Sequence, residues 1–352
     1  MINILITGGL GYIGSHTCSL LIKEGYNIYI LDSLKNSSIL VLNNLELIKN
    51  SFNNSELGFI KFFQGDIRDS TCIKEIFNYS KKIRHPIDIV FHFAGLKSVK
   101  ESALIPKEYM DVNINGTKTL IKEMNLNGCK NIIFSSSATV YGNKCTKIIR
   151  EDAKINPTNI YGETKAYAEE LLYDTYLNNK DWRIINLRYF NPIGAHKTYL
   201  LGEESKNNYE NLFPIICRVA KNQNDFVEIY GNNWDTKDGT CIRDYIHILD
   251  IARGHLSALN YIAKNKSVFS SINLGTSKGS TVLELINTFE KATKTKINYV
   301  FTGRRKGDVA SYVASNDLAK RYLNWTPLYS LNEMCLDGWN WYLKSQEKLL
   351  EI

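Results

Sequence analysis

The residues that most restrict how this chain can fold are the glycines of Thr7-Gly8-Gly9-Leu10-Gly11-Tyr12-Ile13-Gly14-Ser15-His16. They follow a β-branched apolar run, Ile2–Thr7, and precede a helical pattern, Ile13–Glu24. Gly8, Gly11 and Gly14 thus form a GxxGxxG at the first strand-to-helix turn. Glycine is needed there because the backbone must turn tightly, admit a pyrophosphate and let the helix pack close to the strand. The N-terminus of the helix then offers free N–H groups and partial positive charge to an anion.

The rest of the first half keeps the same rhythm. Candidate strands are Asn27–Leu31, Phe59–Phe63, Ile87–Phe93, Asn131–Ser135 and Arg183–Arg188, and helical stretches fall at Ser70–Tyr79, Leu104–Leu126 and Asn159–Asn178. Alternation of this length predicts an α/β fold, a doubly wound parallel sheet of Rossmann-like type with helices on both faces. After Asn191 the rhythm breaks into shorter elements and polar loops, Lys197–Asn211 and Gly231–Thr240. The expected division is a dinucleotide-binding domain over 1–190 and a smaller C-terminal α/β substrate lobe over 191–352, with segments near 240–275 packing back onto the first. The Asn- and Lys-rich stretch Leu34–Asn54 reads as a surface insertion.

Charge and cysteine content exclude other classes. The 43 basic and 36 acidic residues leave a formal charge of +7, spread without a run of like charge, so no nucleic-acid partner is expected. No apolar run is long enough for a membrane span, and Met1–Thr7 reads as a strand rather than a signal peptide. The seven cysteines are widely spaced without a CxxC pair, and the six histidines lack metal-ligand spacing. A reducing, cytoplasmic setting without a metal is therefore expected.

Three further strand ends supply cofactor candidates. Asp32 closes the second strand at the distance where a carboxylate accepts hydrogen bonds from an adenosine ribose. It would repel a 2′-phosphate, and no arginine neighbours it, so NAD is favoured over NADP. Asp66-Ile67 follows the third strand, with Asp66 placed for an adenine amine. Phe93-Ala94-Gly95-Leu96-Lys97 follows the fourth, with small residues where a cofactor would lie.

The fifth strand ends in Phe134-Ser135-Ser136-Ser137, and Tyr161-Gly162-Glu163-Thr164-Lys165 follows at a helix start. A spacing of four puts Tyr161 and Lys165 on one helical face. A phenol is a poor base at neutral pH, and a neighbouring cation is expected to lower its pKa enough to make it one. Composition alone yields about two Tyr-x3-Lys matches in a chain like this. Two occur, Tyr161–Lys165 and Tyr176–Lys180, and only the first has the serine strand before it.

These segments, with Arg188-Tyr189-Phe190-Asn191-Pro192-Ile193-Gly194-Ala195-His196, Gly239–His247 and Arg304–Asp308, resemble the extended short-chain dehydrogenase/reductases. Within that group the match is to the UDP-glucose 4-epimerases, from Ile4 to about Trp339. The resemblance implies interconversion of UDP-galactose and UDP-glucose. A held NAD would take the C4 hydride, the 4-keto sugar would rotate, and the hydride would return to the opposite face. Tyr161 would be the base, Ser137 its partner, and Lys165 would bind the nicotinamide ribose.

The same resemblance implies further cofactor contacts from Tyr12, Ile13, Lys97, Asn113, Ser135, Tyr161, Tyr189 and Phe190. For the substrate it implies Lys97, Ser137 and Tyr161 near the sugar, Asn191, Asn211 and Leu212 on the nucleotide-sugar, Glu228, Ile229 and Tyr230 around the uracil, and Asp308 on the uridine ribose. Arg243 and Arg305 would clamp the diphosphate, since guanidinium groups fork onto phosphate oxygens. Arg304 reads as a surface ion pair. Tyr312 occupies the position that limits sugar size, which implies poor use of N-acetylhexosamines. The family forms homodimers through helices here spanning Pro106–Leu126 and Asn159–Asn178, where Leu120, Ile121, Leu171 and Leu172 suit either an interface or sheet packing.

Other readings are a uronate or N-acetylhexosamine 4-epimerase, a decarboxylase, a nucleotide-sugar dehydratase and a silent NAD-binding regulator. The dehydratase requires an Asp-Glu pair after the catalytic hydroxyl, where this chain has Ala138 and Thr139. The regulator would have lost Tyr161 or Lys165, and both are present.

Overall fold

A computed structural model describes residues 2–52, 57–143, 148–204, 211–305 and 307–350, with side chains to 347. The chain divides into two compact units: 1–142, 155–188 and 252–272 form the first, and 143–154, 189–251 and 273–352 the second. The first unit thus omits 143–154, inside the 1–190 expected for it, and includes 252–272, within the segments near 240–275 expected to join it.

The first unit is built on seven strands: β1 (Asn3–Thr7), β2 (Asn27–Asp32), β3 (Ile60–Gln64), β4 (Ile89–His92), β5 (Asn131–Ser137), β6 (Arg183–Tyr189) and, much later, β11 (Val268–Leu274). Their order is β11-β6-β5-β4-β1-β2-β3. The pairings β1–β2, β1–β4, β2–β3 and β4–β5 are parallel. Strand order reverses at β1 and β4, which opens the crevice where doubly wound sheets bind ligands. β1, β2 and β4 are buried along their whole length, as apolar strands covered on both faces must be.

The crossovers are α1 (Tyr12–Lys23), α2 (Leu40–Asn50), α3 (Ser70–Lys82), α4 (Val99–Leu104), α5 (Pro106–Met110), α6 (Gly116–Leu126) and α7 (Ile160–Asn178). Leu34–Asn54, expected as an insertion, thus contains a helix with Leu45 and Ile48 buried. Leu104–Leu126 is not one helix. Pro106 cannot continue α4 and instead occupies the first turn of α5. A π-helical turn, Asp111–Asn115, then separates α5 from α6. Leu120, Ile121 and Leu172 lie in the core with Val90, Ile132, Phe134 and Ile184.

The second unit contains β7 (Asn191–Ile193), β8 (Val227–Tyr230), β9 (Ile242–Arg243), β10 (Tyr245–His247), β12 (Ser280–Thr281), β13 (Tyr299–Thr302) and β14 (Ser311–Tyr312). They pair as β10-β7, β13-β8 and β12-β9-β14. The helices α8 (Leu212–Ala220), α10 (Val282–Thr293), α11 (Asp317–Leu323) and α12 (Leu331–Leu350) accompany them, and α9 (Ile248–Lys264) starts here and enters the first unit at Ala252. Phe213, Ile216, Val227, Ile229, Phe289, Met334 and Trp339 form the core.

Candidate active site

In the first unit the glycine turn has the strain that its sequence demands. Gly8 sits at φ +70°, and a Cβ there would lie 2.7 Å from the Ala94 nitrogen. A Cβ on Gly14 would lie 2.3 Å from the Gly8 carbonyl oxygen. The loops after β1 and β4 therefore touch at the point where strand order reverses. Gly11 caps α1 without any side-chain hydrogen bond to the first turn. No side-chain cap occupies the terminus, the arrangement that suits an anion.

Asp32 ends β2 nearly buried. Its Oδ2 accepts from the Leu10 N–H and its Oδ1 from the Leu34 N–H and the Ser37 hydroxyl. An ionised carboxylate has about four lone-pair sites, so capacity remains for a ribose hydroxyl. Both oxygens of Asp66 are gripped by Arg68, at 2.9 and 2.6 Å, and Arg68 also reaches Asp111. This grip holds the Asp66 carboxyl below its ordinary pKa. Ile67 is buried, and Phe93, Ala94 and Gly95 are partly so, while Lys97 is exposed.

The π-helical turn turns Asn113 inward. Its Nδ2 donates to the Leu96 carbonyl and the Thr164 hydroxyl, and its Oδ1 accepts from the Leu96 N–H. A single wide turn thus joins the loop after β4 to α7, a use of π-helical geometry often found at functional sites.

The catalytic candidates converge at the end of β5. Asn159 caps α7 by accepting from the Gly162 N–H, which fixes Tyr161 in the first turn. The Ser137 hydroxyl lies beside the Tyr161 phenol and favours its ionised form. Ser137 Oγ also accepts from the Thr139 hydroxyl and N–H. The Lys165 ammonium donates to the Ser135 carbonyl at 2.8 Å, lies 4.8 Å from the Phe134 ring centre and 5.9 Å from that of Tyr161. Burial brings Lys165 down to about 8, opposed by the Glu169 carboxylate one turn on.

One expectation is reversed. Lys165 was expected to lower the Tyr161 pKa, yet burial pushes that phenol up to about 12, with the Ser137 hydroxyl pulling the other way. The ammonium is committed to Ser135 and is itself desolvated, so in this chain alone its attraction does not outweigh the loss of water.

The sequence reading missed Glu169 and Arg188. Glu169 follows Lys165 by four residues, as Lys165 follows Tyr161, and that spacing was the available signal. Its carboxylate accepts from Arg188 Nε at 2.9 Å and Nη2 at 2.5 Å, and from the Ser136 hydroxyl at 2.5 Å. Arg188 also donates to the Tyr141 hydroxyl at 2.8 Å.

The second unit holds two groups of substrate candidates. Arg243 donates to the carbonyls of Ile242 and Val309 and pairs with Asp308 at 3.2 Å. Its neighbour Asp244 is buried and accepts from the N–H groups of Thr276, Ser277 and Ala314, which fixes β9. Asn191 donates its N–H to the Asp244 carbonyl. Arg305 is exposed and stacks on Tyr230 at 4.1 Å, and the Tyr230 hydroxyl donates to Glu228. The Ile229 side chain belongs to the core. Asn211 begins α8 and donates to Glu203, with Leu212 half-buried behind it. Arg304 does not form the expected ion pair in the described contacts; it stacks on Trp234 at 4.0 Å and donates to Asn233. Tyr189 and Phe190 fall in this unit, and the Phe190 and Tyr312 rings meet at 5.6 Å.

Comparison with known proteins agrees with this geometry. Residues 5–337 match the family described as GDP-mannose 4,6 dehydratase. The chain is 42% identical to UDP-glucose 4-epimerase 2 of Arabidopsis thaliana, over 96% of this chain and 94% of that one. It is also 42% identical to the bifunctional protein GAL10 of Pachysolen tannophilus, over 97% of this chain and 49% of that protein, so it spans about half of the latter. Among solved structures, a UDP-glucose-4-epimerase from Stenotrophomonas maltophila with bound NAD and formylated UDP-arabinopyranose superposes with a TM-score of 0.93. That protein is 39% identical, with 99% of this chain and all of that one covered.

Proposed function

The chain belongs to the GDP-mannose 4,6 dehydratase family and, within it, to the UDP-glucose 4-epimerases, and on that premise we propose that it interconverts UDP-galactose and UDP-glucose. The observation that carries this reading is the convergence of Ser137, Tyr161 and Lys165 at the end of β5, in the unit that holds the glycine turn.

The residues fit NAD. A Cβ on Gly8 or Gly14 would strike backbone, Gly11 caps α1 without a side chain, and Asp32 retains acceptor capacity for a ribose. The chemistry supplied by bound NAD is acceptance of the C4 hydride and its return to the opposite face of the sugar. Tyr161 removes the O4 proton, assisted by Ser137, and gives it back after the 4-keto sugar has turned. Lys165, held on Ser135, supplies the positive charge that favours the phenolate.

Arg243 and Arg305 hold the diphosphate, Asn191, Asn211 and Leu212 the nucleotide-sugar, Glu228–Tyr230 the uracil and Asp308 the uridine ribose. Tyr312, resting on Phe190, restricts the pocket to sugars without an N-acetyl group. No dehydratase acid–base pair follows Ser137; Ala138 is buried and Thr139 hydrogen-bonds to Ser137 itself. The enzyme acts as a cytoplasmic homodimer. Leu104, Ile105, Met110, Tyr167, Tyr173 and Leu177, all exposed on α4–α5 and α7, suit the contact better than the buried Leu120, Ile121 and Leu172. The six described cysteines are free thiols, in keeping with a reducing compartment.

The test is incubation of the purified protein with UDP-galactose and no added NAD, with UDP-glucose quantified by chromatography. Conversion is the expected result. No conversion even with NAD supplied overturns the assignment.

A further inference from the structure

The Tyr161–Lys165 pair is extended inside the protein by a third charged group that the reaction does not name. Tyr161, Lys165 and Glu169 recur every four residues on α7, so they stack one turn apart on the same face. Glu169 is nearly buried, its side chain 9% exposed against 6% for Arg188. A buried ion pair contributes little net stability, and removing one partner is costly, so its position calls for a reason other than stability.

Two hydrogen bonds tie successive residues of β5 to this face of α7. Lys165 donates to the Ser135 carbonyl, and the Ser136 hydroxyl donates to Glu169. The next residue is Ser137, which meets Tyr161. The charged and titratable groups facing Lys165 are Tyr161 and Glu169 on α7 and His92 on β4, which is buried and neutral. Arg188 on β6 acts through Glu169. Glu169 is therefore the only anion among the described groups named around that ammonium.

We infer that Glu169, held by Arg188, is a positioning residue for the epimerase reaction: it keeps Lys165 charged and locks the end of β5 so that Ser137 remains in reach of Tyr161. The inference rests on the reading of Tyr161 as the base.

Glu169→Gln separates the two roles, because the amide oxygen still accepts from Ser136 while the charge is gone. In the whole protein with isotope-labelled lysine, the Lys165 ε-carbon signal, assigned by its loss in Lys165→Met, titrates in the wild type near pH 8. In Glu169→Gln its midpoint falls by about one pH unit. The alkaline limb of kcat on UDP-galactose moves down with it, kcat at pH 8 drops about fivefold, and KM stays within about twofold. Should the single variant not fold, Glu169→Gln/Arg188→Met removes both charges and is expected to lower the same midpoint. A folded variant with the wild-type Lys165 midpoint overturns the inference. If the wild type does not convert UDP-galactose, the proposed activity fails, and the lysine titration still decides whether Glu169 controls Lys165.

Discussion

Thr7 and His92 are register partners at the ends of β1 and β4, and the Thr7 hydroxyl meets His92 Nδ1 at 2.7 Å. The other ring nitrogen meets the Thr117 hydroxyl at 2.9 Å, and Thr7 Oγ1 also accepts from the Ala94 N–H. This closed network lies directly under the contact between Gly8 and Ala94, so one buried imidazole supports both loops of the candidate cofactor crevice.

Burial and the charge of Lys165 bring His92 down to about 3, from an ordinary value of 6.5. The folded state thus refuses a proton that the unfolded chain accepts, and this stabilisation is complete above pH 6.5. It is lost as pH falls from 6.5 towards 3, by up to about 5 kcal/mol. Denaturation of His92→Gln measured across that range is expected to show a shallower acid limb than the wild type. Parallel acid limbs would mean that His92 does not carry the proton linkage.

Tyr161→Phe removes the phenol and leaves the ring. Conversion of UDP-galactose is expected to fall by about 10²- to 10⁴-fold, the range of a lost general base, with bound NAD undiminished in the purified protein. Retention of more than a tenth of the activity would assign the base elsewhere.

Arg243 is held by two backbone carbonyls and Asp308, so its guanidinium is pre-placed for an anion. Arg243→Met is expected to raise KM for UDP-galactose roughly 10- to 100-fold, the value of one charge-assisted contact, with kcat changed much less. Arg305→Met, which frees the Tyr230 ring, is expected to do the same more weakly because Arg305 is exposed. Steady-state kinetics on both variants checks the ranking.

Tyr312 rests against Phe190 and fills the space beside it. Tyr312→Ser is expected to gain turnover of UDP-N-acetylglucosamine over the wild type while retaining UDP-galactose conversion. Efficient wild-type turnover of the N-acetyl substrate would refute the role given to this ring.

The first unit was legible because its rules are local. A strand needs a short β-branched run, a glycine turn declares itself by spacing, and Asn159 before Ile160-Tyr161 marks a helix start. What escaped was non-local. The Arg188–Glu169 pair joins residues 19 apart, and the Thr7–His92 bond joins residues 85 apart. Burial decided the Tyr161 pKa, and burial is not written in a spacing. The break in Leu104–Leu126 was legible at Pro106, whereas the π-helical turn that aims Asn113 left no mark in the sequence. In the second unit, strands of two or three residues are too short for periodicity, and the stacking of Arg305 on Tyr230 depends on loops.

The first unit takes β11, its edge strand, from a segment that follows about half of the second unit in the chain. During synthesis, β6 leaves the ribosome with one edge bare, and its partner is still unmade. At about 5 to 20 residues per second, the roughly 80 residues before Val268 take on the order of 4 to 16 s to appear. Through that interval the nascent sheet presents unpaired N–H and C=O groups beside Asn186 and Arg188. Cutting the gene after residue 190 would make that unpaired edge permanent.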